Sequence, residues 1–97
     1  TMVGYFAGVS VTTGNSNTAV GSFALDANTT ASNNTAIGYQ SLSANTTASA
    51  NVAVGKRALA SNTTGTNNVA VGTDALENHT TGSDIQHILN NRKCYHK

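Results

Sequence analysis

Few side chains in this sequence could carry acid–base or nucleophilic chemistry. The ionisable candidates for catalysis are Asp26, Asp74, Glu77, Asp84, His79, His87 and His96. No nucleophile elbow, phosphate-binding loop or HExxH zinc motif organises them. The Gly55-Lys56-Arg57 segment lacks both the upstream glycine and the following Ser or Thr of a phosphate loop. We therefore expect a protein that is not an enzyme and that uses no cofactor.

Metal binding is the other chemistry to consider. His87, Cys94 and His96 could offer a metal three ligands near the end of the sequence. A closed zinc site needs four ligands in a defined geometry, so a helical or disordered tail is favoured over a metal site here. Cys94 is the only cysteine, which excludes an internal disulfide framework.

The charge balance excludes several partners. The chain has a formal net charge of +1 and only 5 Lys and Arg residues. Nucleic acids and anionic membranes require clustered Lys and Arg, so we expect no nucleic-acid partner. No apolar run approaches the roughly 20 residues that cross a bilayer, and we expect no membrane insertion by this segment.

The sequence contains an internal repeat of 17 residues, which predicts the secondary-structure elements that position these side chains. Four consecutive lines align without insertion or deletion: NTAVGSFALDANTTASN, NTAIGYQSLSANTTASA, NVAVGKRALASNTTGTN and NVAVGTDALENHTTGSD. Numbered from Asn17 as position 1, Asn is fixed at position 1, Ala at 3, Gly at 5, Leu at 9 and a Thr pair at 13 and 14. Position 4 is always Val or Ile. Such a fixed period is typical of stacked repeat architectures.

The repeat defines the organisation of the chain. Residues 1–84 are predicted to form a repeat array of five coils, at 1–16, 17–33, 34–50, 51–67 and 68–84. Residues 85–97 depart from the pattern and are expected to be a C-terminal cap, neck or tail. Ile85, Ile88 and Leu89 have helical spacing, with Asp84 as the N-cap. A tag or unnatural read-through is the alternative for this segment.

Short β-strands suit this repeat better than helices. Seventeen residues are too few for a helical hairpin, and Gly together with the Asn-Thr-Thr stretch would break each helix. Val52 and Val54 alternate with Ala53, which places branched and small side chains on opposite faces of a strand. Gly at position 5 favours a bend, and Leu at position 9 returns to the interior. The predicted fold is all-β, a parallel β-solenoid of 17-residue coils.

The segments NTAVG, NTAIG and NVAVG resemble the repeats of trimeric autotransporter adhesin heads (YadA-like) and of phage tail fibres. The likeness covers residues 1–84. It implies a left-handed parallel β-roll, three copies of which pack around an axis with the short apolar strand facing inward. It also implies a fibre in an extracellular location, on a bacterial cell surface or a virion. The 17-residue period is longer than the one usual in adhesin heads and favours the tail-fibre relatives.

The resemblance and the repeat together assign roles to residues. The interior is assigned to Val20, Ile37, Val54 and Val71 and to Leu25, Leu42, Leu59 and Leu76. The bend is assigned to Gly21, Gly38, Gly55 and Gly72. Candidates for surface contact, or simply for solubility, are Tyr39, Gln40, Lys56, Arg57, Thr73 and Asp74. None of these is a catalytic or metal-binding assignment.

These properties point to a structural or adhesive role. Each coil offers so little apolar burial that a lone chain looks marginal, which predicts a homo-oligomer, either a trimer or an end-to-end stack. A host-surface protein or a glycan is the expected external partner. Two alternatives remain open, a self-assembling extracellular filament and an ice-binding solenoid. Against the second, adjacent Thr side chains point to opposite faces and give one outward row rather than two.

Overall fold

The computed structural model describes residues 1–76, 80 and 83 in full and the backbone of residues 85–88 and 95–96. Within these residues the chain is all-β and contains no helix, which confirms the predicted class. The strands are β1 (Met2–Val3), β2 (Thr18–Val20), β3 (Thr35–Ile37), β4 (Val52–Val54), β5 (Val69–Val71), β6 (Ile85–Ile88) and β7 (Tyr95–His96). They form one sheet in sequence order, parallel from β1 to β6, with β7 antiparallel to β6.

Each coil lies directly against the next one along the chain. Thr18 pairs with Thr35 and Thr35 with Val52, and the paired residues from β1 to β6 are all 17 positions apart. The same offset continues outside the strands, where Thr29 donates its backbone N–H to the carbonyl of Thr46 at 3.1 Å. The sequence period is therefore the structural period, and equivalent residues form straight rows along the stack.

The strands bury alanine and turn the larger side chain outward. Ala36 is fully buried, whereas Ile37 beside it is 38% exposed. The rows at positions 3 and 4 behave alike in β2, β4 and β5, where Ala is buried and Val is half-buried. The interior assignment of Val20, Ile37, Val54 and Val71 is therefore corrected, because alternation along the strand points these side chains out of the coil.

Leucine and small residues make the core of each coil. Leu25, Leu42 and Leu59 are fully buried and Leu76 is 6% exposed. They pack with the Ala row and with the small residues at position 8, which are Ala24, Ser41, Ala58 and Ala75. Leu is the one large apolar side chain buried in each of these coils, and the small Ala at position 3 leaves space for it.

The leucines adopt an unusual backbone conformation. Leu25 and Leu42 have φ of 53° and 52°, in the left-handed region that bulky residues rarely occupy. This conformation costs on the order of 1 kcal/mol per residue. The backbone N–H of each of the two donates to a carbonyl of the following coil, at 3.0 Å, and full burial of the side chain adds to the compensation.

The glycines at position 5 end the strands. Gly38 has φ of 128°, a region that only glycine occupies readily. A Cβ at Gly38 would lie 2.6 Å from the carbonyl carbon and oxygen of Gly55. The Gly row thus permits both the bend and the close approach of successive coils, at Gly21, Gly38, Gly55 and Gly72.

The segment after residue 84 begins with a strand. Residues Ile85–Ile88 form the strand β6. The helix predicted here from the spacing of Ile85, Ile88 and Leu89 is therefore wrong. Ala70 pairs with His87, which keeps the 17-residue offset. An open edge of β5 favours another strand, because the backbone groups there would otherwise lack ladder partners. Asp84 and Leu89 lie outside the described residues.

Candidate functional site

The ionisable residues do not assemble into a catalytic or metal site where the structure can be followed. Asp26 and Asp74 lie in different coils, and no group of three or more His, Cys, Asp and Glu side chains occurs among the described residues. Glu77, His79, Asp84 and Cys94 lie outside those residues, and only the backbone of His87 and His96 is described. In the same part of the chain, no helix is long and apolar enough to cross a membrane.

The outer surface of the sheet is the first candidate interaction surface. Its rows at positions 2 and 4, which we call the sheet face, consist of Thr18, Val20, Thr35, Ile37, Val52, Val54, Val69 and Val71. All are half-buried except Ile37, which is exposed. These side chains are branched and uncharged and stand in straight rows. Such a surface can pack closely against another apolar surface.

A second surface follows the bend. The bend stripe consists of the residues at positions 6 and 7, namely Tyr5, Phe6, Ser22, Phe23, Tyr39, Gln40, Lys56, Arg57, Thr73 and Asp74. Its backbone is tied from coil to coil, since Gln40 donates its N–H to Ser22 at 3.0 Å and Arg57 to Tyr39 at 2.7 Å. The stripe therefore presents variable side chains on a fixed frame.

One end of the bend stripe is aromatic. The rings of Tyr5 and Phe6 lie 4.3 Å apart, and Phe23 packs edge-on against both. Tyr39 extends the cluster, with its ring 6.2 Å from that of Phe23. Tyr5 is 67% exposed and Tyr39 is 45% exposed, so the cluster remains open on its outer side. Exposed tyrosines that present both a ring and a hydroxyl are typical of binding surfaces.

The other end of the stripe is charged. Arg57 Nε lies 3.4 Å from Asp74 Oδ1, and both side chains are more than a third exposed. That carboxylate oxygen makes no hydrogen bond despite the short distance, so the contact is an ion pair without hydrogen-bond geometry. A pair of this kind stabilises little in water, about 0–1 kcal/mol. Lys56 and Thr73 are exposed beside it.

Asparagines at position 1 form a buried ladder along the stack. Asn34 and Asn51 are fully buried. Asn34 accepts through Oδ1 the backbone N–H of Asn51 at 2.9 Å, and its Nδ2 donates to the carbonyl of Ala48 at 2.9 Å. Asn17 repeats both bonds one coil earlier, to Asn34 at 3.0 Å and to Ala31 at 2.8 Å. Each amide thus links two coils and also crosses its own coil.

Position 12 carries a second ladder, joined side chain to side chain. Asn45 Nδ2 donates to Asn28 Oδ1 at 2.9 Å, and Asn62 Nδ2 donates to Asn45 Oδ1 at 3.1 Å. All three residues are fully buried. Buried amides of this kind stabilise only when they are hydrogen-bonded, and the ladder supplies those bonds.

The two ladders converge on one carbonyl in each coil. Ala48 O accepts from both Asn34 Nδ2 and Asn45 Nδ2, each at 2.9 Å. Gly65 O accepts from Asn51 at 2.9 Å and from Asn62 at 3.0 Å in the next coil. The segment after the Thr pair is therefore held firmly from inside.

Sequence reasoning missed both ladders, because Asn at a turn usually caps or turns the backbone at the surface. The available signal was the invariance of Asn at position 1, which a solvated position does not require. At position 12, Asn28, Asn45 and Asn62 sit directly before the Thr pairs and look like ordinary turn residues.

Asp26 is a titratable residue whose pKa is shifted by its surroundings. Partial burial of the carboxyl raises its pKa above the usual 3.8, and a hydrogen bond from its own backbone opposes that change. The neighbouring coil has Ser43 at the same position, so the carboxylate is not required by the repeat.

Comparison with protein-family models, with curated proteins and with solved structures gives no match.

Proposed function

We propose that this chain is a structural and adhesive fibre segment of a bacterial surface adhesin or a phage tail fibre. Three copies pack through their sheet faces as left-handed β-rolls around a common axis, outside the cell. The bend stripes of the three copies then make a multivalent binding surface for a host protein or a glycan.

The outward row of Val20, Ile37, Val54 and Val71 carries this proposal. Alternation in the strand leaves these side chains outside the coil core, and Ile37 is 38% exposed. Removing such side chains from water gives about 25 cal/mol per Å² of apolar surface. A chain whose own core holds one Leu per coil gains stability by covering this row with copies of itself.

The chemistry of the sheet face favours a copy of the same chain over a charged partner. The face carries no charge along four coils, and its straight rows are matched by the same rows in another copy. Closed symmetric association buries such a face on every copy at once, whereas an unclosed arrangement leads to fibres.

The bend stripe supports the adhesive part of the proposal. Aromatic side chains lie at one end of the stripe and charged side chains at the other, on a frame fixed by backbone hydrogen bonds. Association multiplies any weak contact at Tyr39, Gln40 or Lys56, because linked sites bind with a raised effective concentration.

The test compares Ile37→Asp with Thr47→Asp. Both positions are exposed, but only Ile37 lies on the sheet face. We expect the wild-type chain and Thr47→Asp to have three times the 9.9 kDa chain mass by light scattering coupled to size exclusion. Ile37→Asp should lose the trimer, because three carboxylates would be buried together.

A folded wild-type monomer, or a trimer in both variants, would contradict the proposal. Far-ultraviolet circular dichroism of the same fractions reports whether each variant is folded. Large wild-type polymers would favour the end-to-end filament instead.

A further inference from the structure

The aromatic end of the bend stripe gathers side chains from three successive coils. Tyr5 and Tyr39 both lie at position 6, and the small Ser22 lies between them in the same row. Phe23 packs edge-on against both tyrosines, with ring centroids 5.7 Å and 6.2 Å away, so the two tyrosine rings lie no farther apart than these two distances together. The set, which we call the aromatic patch, consists of Tyr5, Phe6, Ser22, Phe23, Tyr39 and Gln40.

The patch offers both ring surface and hydrogen-bonding groups to the outside. Tyr5, Phe6 and Tyr39 are 67%, 47% and 45% exposed. The hydroxyls of Tyr5 and Tyr39 and the side-chain amide of Gln40 make no hydrogen bond to the described residues. Each of these groups can both donate and accept. An exposed aromatic cluster of this kind marks an interaction site, and this one suits a ligand with apolar faces and many hydroxyls.

Hydrogen bonds between coils hold the patch in place. Phe23 donates its backbone N–H to the carbonyl of Tyr5 at 2.9 Å, and Gln40 donates to the carbonyl of Ser22 at 3.0 Å. Ser22 Oγ also donates to the carbonyl of Tyr5, at 3.5 Å. The ring contacts restrict the aromatic side chains further. The patch therefore loses little conformational freedom when a ligand binds.

The charge around the patch limits its ligand. Asp26 is the only charged side chain in residues 1–55, and it lies at position 10, away from positions 6 and 7. Lys56 and Arg57 lie one coil beyond the patch, where Asp74 pairs with Arg57 at 3.4 Å. A phosphate, sulfate or carboxylate needs cations among the groups that hold it. The patch itself therefore favours an uncharged ligand.

The size of the patch favours a small ligand over a protein. It extends over three coils, which is two strand spacings of about 4.8 Å, and it is two residues wide. A stable protein interface covers about 800 Å² on each partner, far more than such a patch provides. One or two sugar rings are of comparable size to the patch.

We propose that the aromatic patch binds an uncharged glycan. This inference rests on the adhesive function proposed above and selects the ligand class for one end of the bend stripe. The C–H groups on the face of a pyranose ring carry slight positive charge, and the negative π-faces of Tyr5 and Tyr39 attract them. The tyrosine hydroxyls and the Gln40 amide bond the sugar hydroxyls. A few polar groups beside an apolar surface are what orients a small ligand.

The test is an array of defined oligosaccharides, uncharged, sialylated and sulfated, probed with the wild-type chain, Tyr39→Ala and Lys56→Ala. Tyr39 and Lys56 are exposed at position 6 of neighbouring coils, but only Tyr39 belongs to the patch. The uncharged oligosaccharide that binds best is then titrated by calorimetry. We expect Tyr39→Ala to bind it at least about tenfold more weakly and Lys56→Ala to stay within about twofold of wild type. Circular dichroism checks the fold, and Tyr5→Ala replaces Tyr39→Ala if that variant is unfolded.

A folded wild-type chain that binds no uncharged oligosaccharide would overturn this proposal, as would equal loss of binding in Tyr39→Ala and Lys56→Ala. Binding restricted to sialylated or sulfated glycans would also overturn it and would move the site to Lys56 and Arg57. The mass in solution is measured separately. A trimer that binds no uncharged glycan contradicts only the glycan site, and a monomer that binds one contradicts only the proposed assembly.

Discussion

Replacing Asn45 by Ala removes a central link of the second Asn ladder. The side chain donates to Asn28 Oδ1 and to Ala48 O at 2.9 Å each, and it accepts from Asn62 Nδ2 at 3.1 Å. Ala48 O keeps its bond from Asn34, and Asn62 keeps its bond to Gly65. Asn28 Oδ1 loses its donor inside the coil.

The expected loss follows from those contacts. A buried polar atom left without a partner costs about 1–3 kcal/mol, and the space vacated by the amide adds to it, for a total of about 2–4 kcal/mol. In a chain of this size each kcal/mol lowers Tm by about 4–8 °C, so the variant should melt at least about 8 °C below wild type.

The assay is thermal unfolding followed by far-ultraviolet circular dichroism at one fixed chain concentration. Thr47→Ala is the control, because this exposed neighbour should change stability by less than about 0.5 kcal/mol. If Asn45→Ala melts within a few degrees of Thr47→Ala, the ladder does not stabilise the coil as argued.

Three further outcomes follow from other positions. Gly38→Ala should lower the unfolding free energy by more than about 2 kcal/mol, because Gly38 has φ of 128° and the new Cβ would lie 2.6 Å from the backbone of Gly55. An unchanged denaturant midpoint would refute this prediction. Burial raises the pKa of Asp26, so the ionised carboxyl destabilises the fold at neutral pH, and this cost disappears as the pH falls through the raised pKa. Asp26→Asn should therefore raise Tm at pH 7 but not below pH 3.8. An equal change in Tm at the two pH values would contradict this prediction. Replacing both Lys56 and Arg57 by Ala should change the unfolding free energy by less than about 1 kcal/mol, because the exposed ion pair between Arg57 and Asp74 contributes little. A large loss of Tm would instead place these residues in the core.

The period of the repeat predicted the stacking but not which side of the strand faces inward. Val52-Ala53-Val54 fixes an alternation, and either face of that alternation could have been the interior. Which face of the strand points inward depends on how much space is left inside the coil. In the coil of residues 51–67 the interior already holds the fully buried Leu59, Asn51 and Asn62, and the strand residue that faces inward beside them is the small Ala53.

Other features depended on contacts that have no sequence signature of their own. Asn45 and Asn62 precede Thr pairs as turn residues would, yet both lie inside the coil because each satisfies the next. Ile85–Ile88 has helical spacing, but pairing with β5 determines its conformation. Tertiary contacts override local preference in both cases.

The packing of three chains through the sheet face is tested most directly by cross-linking, with Ile37→Cys and Thr47→Cys each combined with Cys94→Ser. A short bis-maleimide should join chains through position 37, because that row faces the common axis in the proposed trimer. It should leave the position 47 variant as single chains on a denaturing gel. Equal cross-linking at both positions, or none at position 37 in a folded sample, would contradict the account.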